Sequence, residues 1–470
     1  MKKLVFTVIL MSLFAVMSFS QDVAFLVRKE DGKVMDQYKV SLEEAMGEYY
    51  NNLLDIMQSD PSYDTFLNMP QNLYYTIGSL ADFLIIQYYL DEKGIVVNMD
   101  SVMSQTKELY DAYMTNDMYR DYLTSVFENE NNFYSYVRGI FVKDALIGSL
   151  RNQFTDISKD RVLNYVTNNF NNLVLELSTE SETYETPESM MESPTIVEKM
   201  VFDIATNDLV EWFSIYRTKF DFAVNYKPLE LEEKLQKTVD MNEKIQLEEE
   251  YRGKIMTMEK VPQEWLISYS MLADQVITDK KAILQEINVY AQLKTVYPEE
   301  SKMTPEQIDS LVAGIVEEQS TAASTEVSEK LMQKENDLRN LAYLVYYYNG
   351  LSDSQIQALK TDSENKISEI EAFHVTALKN LYRFNPDNGN LVYKIHELDP
   401  DDPVIAYQYF ESFYSMLVQY IDDPVNRDIV ILKLTEIKQQ AEVIASSIKD
   451  NAELQALYTE LIKEIDSLIK

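Results

Sequence analysis

The chain has 470 residues, of which 46% are hydrophobic and 11% aromatic, and this composition excludes a disordered tail protein. Its formal net charge of −36 excludes a nucleic-acid binder, because phosphate binding needs clustered Lys and Arg. The sequence contains no Cys, which excludes disulfide bonds, cysteine-ligated metals and lipid attachment through cysteine. Only 10 Gly and 12 Pro residues occur, and so few helix breakers favour long helices over a β-sandwich or barrel. We therefore expect a mainly α-helical protein with several domains.

Residues 1–20 have the pattern of a secretory signal peptide. Lys2 and Lys3 precede an apolar run from Leu4 to Met17, and Ser18-Phe19-Ser20 places small residues before a cleavage point at Gln21. The run is shorter than the roughly 20 residues that a membrane span needs. We expect export across the inner membrane to the periplasm and no membrane span after cleavage. Retention of the segment as an anchor is the alternative.

The mature N-terminus is predicted to form a β-hairpin followed by a helix. Val23–Val27 and Val34–Tyr38 are β-prone, and Asp31-Gly32 between them is a hairpin-turn pair. Ser41 then begins a helix, because it precedes acidic residues that suit both a capping box and the helix dipole.

Two long helices follow in the same third of the chain. Asn72–Lys93 has apolar residues at spacings of three and four, and Gly94 is placed to end that helix. Ile95–Val97 is too short for more than a bridging strand. Phe133–Phe154 repeats the helical pattern, and Ser158 is expected to cap a further helix.

An acidic stretch rich in Ser, Thr and Pro, residues 178–195, is the predicted linker and main domain boundary. It separates a first domain over 21–177 from a helical domain over 196–350 and C-terminal helical hairpins over 351–470. A long surface loop within one domain is the alternative reading of the linker.

The second half of the chain is predicted to be helical. Helices are expected over Ile196–Tyr226 and Gln263–Tyr297, and Thr304 opens another through a capping box with Pro at the first helical position. From Asn385 to Lys470, Asn-Pro-Asp and Asp-Pro breaks separate helices that look like degenerate tetratricopeptide hairpins, although no 34-residue period is present.

The sequence offers no recognisable catalytic or metal site. Its two histidines, His374 and His396, form no zinc motif and are expected at the surface or at helix ends. No Gly-x-Ser-x-Gly elbow or phosphate-binding loop occurs. Asn385–Asn390 has the wrong register for a calcium loop. With 78 acidic residues, no catalytic carboxylate pair can be singled out. We predict no enzyme activity, no metal and no cofactor.

The chain is instead rich in adaptable apolar side chains, with 33 Tyr, 19 Phe and 21 Met. Most of them are expected in the core, but some could line a cleft for extended apolar polypeptide. The candidates for polypeptide binding are Tyr88, Tyr89, Phe133, Tyr134, Phe141, Phe154, Tyr165 and Phe170.

The order of motifs over residues 22–170 resembles the N-terminal chaperone region of SurA/PrsA/PpiD-type exported folding factors. The motifs that carry the resemblance are Val27–Val34, Leu80–Val97 with its Gly-Ile-x-Val ending, Asn98–Val102, Phe133–Phe141 and Ile157–Asn169. The resemblance implies a SurA N-like helical domain. It also implies a chaperone that binds unfolded or partly folded exported proteins without ATP.

The chain departs from this family after Phe170. Many relatives continue into a parvulin-type prolyl isomerase domain rich in Gly and His, whereas this chain has an acidic stretch and then helices. We therefore expect no isomerase activity and a holdase function through an apolar helical cleft. The alternative is a helical-repeat scaffold that binds one folded partner in the cell envelope.

Overall fold

The computed structural model of the chain describes residues 21–177, 184–320, 324–448 and 450–469. These residues contain 18 α-helices and three β-strands, so the predicted mainly α-helical fold with a short N-terminal hairpin is confirmed. The predicted signal peptide lies outside the described residues. The chain divides into two compact units, residues 1–233 and 234–470.

The N-terminal sheet consists of β1 (Asp22–Arg28), β2 (Lys33–Ser41) and β3 (Phe220–Val224), all antiparallel and in the order β2-β1-β3. β1 and β2 form the predicted hairpin. Gly32 has a φ of +66° in their connection, which glycine adopts without steric cost. β3 corrects the sequence prediction, which extended a helix to Tyr226. The N-terminal strand is therefore the central strand of the sheet.

The described part of the first unit contains eight α-helices before the boundary region. Two of them match the predicted helices Asn72–Lys93 and Phe133–Phe154 to within a few residues. The eight helices are α1 (Leu42–Ser59), α2 (Met69–Glu92), α3 (Met99–Met114), α4 (Asp117–Val126), α5 (Glu130–Arg151), α6 (Lys159–Leu177), α7 (Pro187–Met190) and α8 (Pro194–Tyr216).

Helix α2 lies at the centre of the first unit because more than one of its sides is apolar. Leu73 and Ile77 are buried in a cluster with Val23 of β1. Ile86 and Leu90 are buried in another cluster, to which α5 and α8 contribute. The helix is thus covered by the sheet along one part of its surface and by helices along another.

The predicted linker, residues 178–195, belongs to the first unit where it is described. Its α7 ends at Met190, which is fully buried together with Val166 of α6 and Met200 of α8. The division into two units occurs between Glu233 and Lys234.

The second unit is built from helices in its described residues, and α9 (Glu230–Lys237) crosses the boundary. The predicted capping box is present at the start of α12: the Thr304 N–H donates to Gln307 Oε1 at 2.9 Å, and the Gln307 N–H donates to Thr304 Oγ1 at 3.4 Å. The other helices are α10 (Met241–Thr257), α11 (Gln263–Val296), α12 (Pro305–Ser320), α13 (Thr325–Tyr348), α14 (Asp353–Tyr382), α15 (Gly389–Leu398), α16 (Pro403–Val418), α17 (Arg427–Ser447) and α18 (Ala452–Ile469).

Successive helices from α14 to α18 pack against one another, which is the arrangement that helical hairpins require. Phe410, Leu434 and Tyr458 are buried in one cluster shared by α16, α17 and α18. A separate cluster joins α11, α12 and α13. The likeness of the C-terminal helices to tetratricopeptide repeats stays a prediction.

Candidate functional site

A pocket of about 560 Å³ opens in the first unit between β2, α1, α2, α5 and residues 94–99. Pockets that bind ligands in proteins typically have volumes of roughly 300–1,000 Å³. The pocket is therefore large enough to receive a small molecule or several side chains of a partner.

The start of α1 fixes one wall of the pocket. The Ser41 N–H donates to Glu44 Oε2 at 3.0 Å, and the Glu44 N–H donates to Ser41 Oγ at 3.2 Å, which completes the predicted capping box. The helix thus begins directly after β2. Glu44 and Glu48, one turn apart, both line the pocket.

Helix α1 approaches α5 closely, and Gly47 permits this approach. A Cβ at Gly47 would lie 2.4 Å from the Asn132 carbonyl oxygen and 3.0 Å from the Tyr136 nitrogen. The contact places Tyr136 beside α1, where its side chain lines the pocket. Burial there raises the pKa of the Tyr136 phenol.

The pocket surface is mostly apolar, and every wall except α1 contributes to this character. Gly139 of α5 also lines the pocket. A Cβ added at this residue would have no atom within 4 Å, so the space in front of it is open. The open space on the α5 side therefore depends on this glycine. The apolar side chains of the lining are Val40, Leu80, Phe83, Leu84, Ile95, Val96, Val97, Met99, Tyr136, Val142 and Leu146.

Residues 94–99 form the rim of the pocket after α2 ends. Gly94 has a φ of +68°, and the Ile95 N–H donates to the Leu90 carbonyl at 2.9 Å, as expected for a helix that ends at a glycine. No strand forms over residues 95–97, so the possible bridging strand is absent from this described segment. Val96 is 91% exposed, which leaves an apolar side chain at the mouth of the pocket.

Two of the three cations that line the pocket form close ion pairs with carboxylates. Lys143 forms an ion pair with Glu48, and its ammonium group lies 5.2 Å from the centre of the Phe83 ring. Lys39 Nζ lies 2.7 Å from Asp22 Oδ2. The charges of these two side chains are therefore largely balanced within the protein.

Arg138 is held less firmly than the two lysines. Its Nη1 lies 3.5 Å from Glu44 Oε1, while Glu44 Oε2 accepts hydrogen bonds from Ser41 N and Ser41 Oγ. Arg138 Nε is buried and has no hydrogen-bond partner. The pocket thus combines an apolar surface with a guanidinium group, several of whose N–H donors make no hydrogen bond within the protein.

None of the eight aromatic residues selected from the sequence lines this pocket. Phe133 is buried, the other seven are half-buried, and the structure does not bring them to one surface. Their role in binding stays a prediction. Tyr88 lies against Phe220, whereas Tyr89 and Phe154 both lie against Trp212. Phe133 and Tyr134 both lie against Tyr110, and Phe141 belongs to the same apolar cluster as Phe133. Tyr165 and Phe170 belong to the cluster that contains Val166.

A cluster of polar side chains lies inside the second unit, and it corrects the predicted position of one histidine. His374 is 1% exposed, not at the surface, and its Nε2 lies 2.7 Å from Ser270 Oγ. Its Nδ1 lies 3.7 Å from Asp274 Oδ1, and Asp274 Oδ2 lies 2.8 Å from Lys394 Nζ. Burial lowers the pKa of His374. These three side chains are of the types found in a hydrolase triad, but His374 Nδ1 has no hydrogen-bond partner, and Ser270 and His374 are both buried. His396 does lie in the last turn of α15, as predicted.

Two further features are absent from the residues that the structure describes. No helix among them has both the length and the apolar character needed to cross a membrane. The same residues contain no group of three or more His, Asp or Glu side chains placed to hold a metal ion.

Comparisons of the chain with protein-family models, with curated proteins and with solved structures found no match. The chemistry of the pocket and the sequence pattern around it are therefore what indicate a function.

Proposed function

We propose that this protein is an ATP-independent periplasmic chaperone, or holdase, that binds apolar segments of unfolded or partly folded exported proteins. The pocket of the first unit is the proposed binding site. The observation that carries the proposal is the apolar lining of this 560 Å³ pocket, which α1, α2, α5 and β2 hold open. Export and removal of residues 1–20 are part of the proposal and are supported by the sequence pattern alone.

The chemistry of the pocket suits clients of varied sequence. Its surface is mostly apolar, although charged side chains such as Glu48, Arg138 and Lys143 also line it, so hydrophobic contact would supply most of the binding. Met99 at the rim is partly exposed, and a thioether side chain adapts to different shapes. Promiscuous binding surfaces in other proteins are built from such side chains.

The position of the pocket in the chain supports the same proposal. Its lining runs from Lys39 to Leu146, inside the stretch 22–170 that carries the resemblance to SurA-type chaperones. The proposal includes binding but no prolyl isomerase activity, because the chain lacks the sequence pattern of a parvulin domain.

Filling the pocket from α5 tests the proposal. Gly139→Leu places a side chain into the pocket, whereas Gly148→Leu places the same side chain on α5 outside the pocket lining. The two positions are nine residues apart (148 − 139 = 9), or two and a half turns, so they face opposite sides of the helix. Both variants gain the same helix propensity, which makes them a matched pair.

The assay measures how far the purified protein slows aggregation of several unrelated denatured proteins, followed by light scattering. The protein is expressed with its own N-terminus and recovered from the envelope fraction, and its intact mass shows whether residues 1–20 have been removed. We expect the wild type and Gly148→Leu to protect all clients and Gly139→Leu to lose most of this protection. Protection that is absent in the wild type, or unchanged in Gly139→Leu, would contradict the proposal.

A scaffold function is the second candidate, and one surface feature favours it. Tyr343, Tyr346 and Tyr347 of α13 are exposed and lie in contact with one another, with ring centres 5.0 Å apart in both neighbouring pairs. Tyrosine is enriched where proteins bind folded partners. A chain that protects no client but binds one folded envelope protein through these tyrosines would support the scaffold instead.

A further inference from the structure

Arg138 is the charged side chain of the pocket whose hydrogen-bonding capacity is least used. Its described contact with a carboxylate is the 3.5 Å approach to Glu44, and its buried Nε has no acceptor. A guanidinium group has five N–H donors arranged in a planar fork. The Arg138 side chain is 40% exposed, so a bound acceptor can reach the guanidinium and form charge-assisted hydrogen bonds with it.

Apart from the 3.5 Å approach of Glu44, the neighbouring carboxylates leave these donors unused. Glu48 is paired with Lys143, and Asp91 accepts a hydrogen bond from the Tyr38 hydroxyl at 3.0 Å. Glu44 directs one oxygen to the cap of α1, where the helix N-terminus stabilises its negative charge. The donors of Arg138 that face solvent are therefore open to an acceptor from a bound molecule.

We propose that the pocket recognises an apolar residue bearing a free carboxylate, which is the C-terminal residue of a bound polypeptide, and that Arg138 binds this carboxylate. This inference rests on the proposed function. In a C-terminal residue the carboxylate and the side chain share one Cα, so the side chain enters the apolar space while the carboxylate meets the guanidinium at its wall. Arginine and carboxylate form paired, charge-assisted hydrogen bonds, which an internal peptide group cannot match.

The test uses two labelled apolar peptides of the same sequence ending in leucine, one with a free C-terminus and one with a C-terminal amide. Their binding to the full chain is measured by fluorescence anisotropy. A hydrogen bond to a charged group is worth about 1.5–3 kcal/mol, so we expect the amide to bind at least about tenfold more weakly. Arg138→Gln should bind both peptides with equal, low affinity.

Arg151→Gln is the matched control, because Arg151 is also on α5 but lies outside the pocket lining, against Phe202. It should keep the preference for the free carboxylate. Arg138→Lys keeps the charge but not the fork, and we expect it to keep part of the preference. Circular dichroism of each variant verifies that it is folded, and the peptide pair tests the wild type without any substitution.

The outcomes separate the inference from the proposed function. Equal binding of both peptides to the wild type overturns the carboxylate inference and leaves polypeptide binding intact. Failure to bind either peptide contradicts the proposed function. Dodecanoate, an apolar carboxylate without a peptide, is a separate arm of the test. If dodecanoate binds in an Arg138-dependent way while neither peptide binds, the ligand is a fatty acid and the inference is wrong.

Discussion

Replacing Gly47 by alanine would test the close packing of α1 on α5 beside the pocket. The new Cβ would lie 2.4 Å from the Asn132 oxygen and 3.0 Å from the Tyr136 nitrogen, and neither backbone atom can rotate away. Ordinary contact begins near 3.4 Å, so the helices must separate by roughly 1 Å (3.4 − 2.4). Overpacking of this kind costs about 1–3 kcal/mol, and the higher helix propensity of alanine returns about 1 kcal/mol. Since the clash is with backbone, we expect a net loss of about 2 kcal/mol.

Urea unfolding followed by tryptophan fluorescence measures this loss. The chain has two tryptophans, Trp212 in the first unit and Trp265 in the second, so a Trp265→Phe background makes the signal specific to the first unit. A loss of about 2 kcal/mol corresponds to a midpoint lower by roughly 1 M urea. Gly148→Ala is the control, since its Cβ has open space and should stabilise the unit by up to about 1 kcal/mol. A Gly47→Ala midpoint equal to that of the parent, or higher, would refute the packing argument.

Two further predictions concern a buried histidine and a helix end. Because burial lowers the pKa of His374 below its usual 6.5, its contribution to the stability of the second unit is complete above about pH 6.5 and is lost as the pH falls. The charged groups around it are Asp274, Glu371 and Lys394. Urea midpoints between about pH 7 and pH 5 should therefore fall more steeply for the wild type than for His374→Gln, and parallel curves would contradict this. Gly94→Ala should lower the stability of the first unit by about 1 kcal/mol through its φ of +68°, although its Cβ has open space, and an unchanged urea midpoint would disprove this.

The sequence predicted those parts of the fold that depend on residues close together in the chain. The helix expected over Asn72–Lys93 is Met69–Glu92 in the structure, and the capping box at Thr304 is present. Strand β3 was missed because Phe220–Val224 directly follows an apolar helix, and a short apolar run has no decisive periodicity. Its strand character comes from pairing with β1 at the other end of the first unit.

The pocket was not predictable from the sequence in the same way. Its apolar residues belong to the regular periods of separate helices, so each looks like a core residue when its helix is considered alone. Gly139 contributes by having no side chain, which leaves no distinctive signal in a sequence. The aromatic pairs that looked like a cleft are partners of distant rings: Tyr89, for example, lies 4.5 Å from Trp212 between ring centres. Likewise, the burial of His374 was not predictable because its partner Ser270 lies on another helix, far away in the sequence.

The central place of β1 in the sheet has a consequence for how the protein is made. A chain that emerges N-terminus first presents β1 early, but β3 becomes available only after residues 29–219 have followed. One edge of β1 therefore stays open through most of the synthesis of the first unit. Closing so long a loop costs little more free energy than closing one half its length, about 0.6 kcal/mol per doubling. The long separation of paired strands instead raises the contact order and slows folding. The three-stranded sheet therefore forms late in folding, because the first unit can complete its fold only after its last residues have been synthesised.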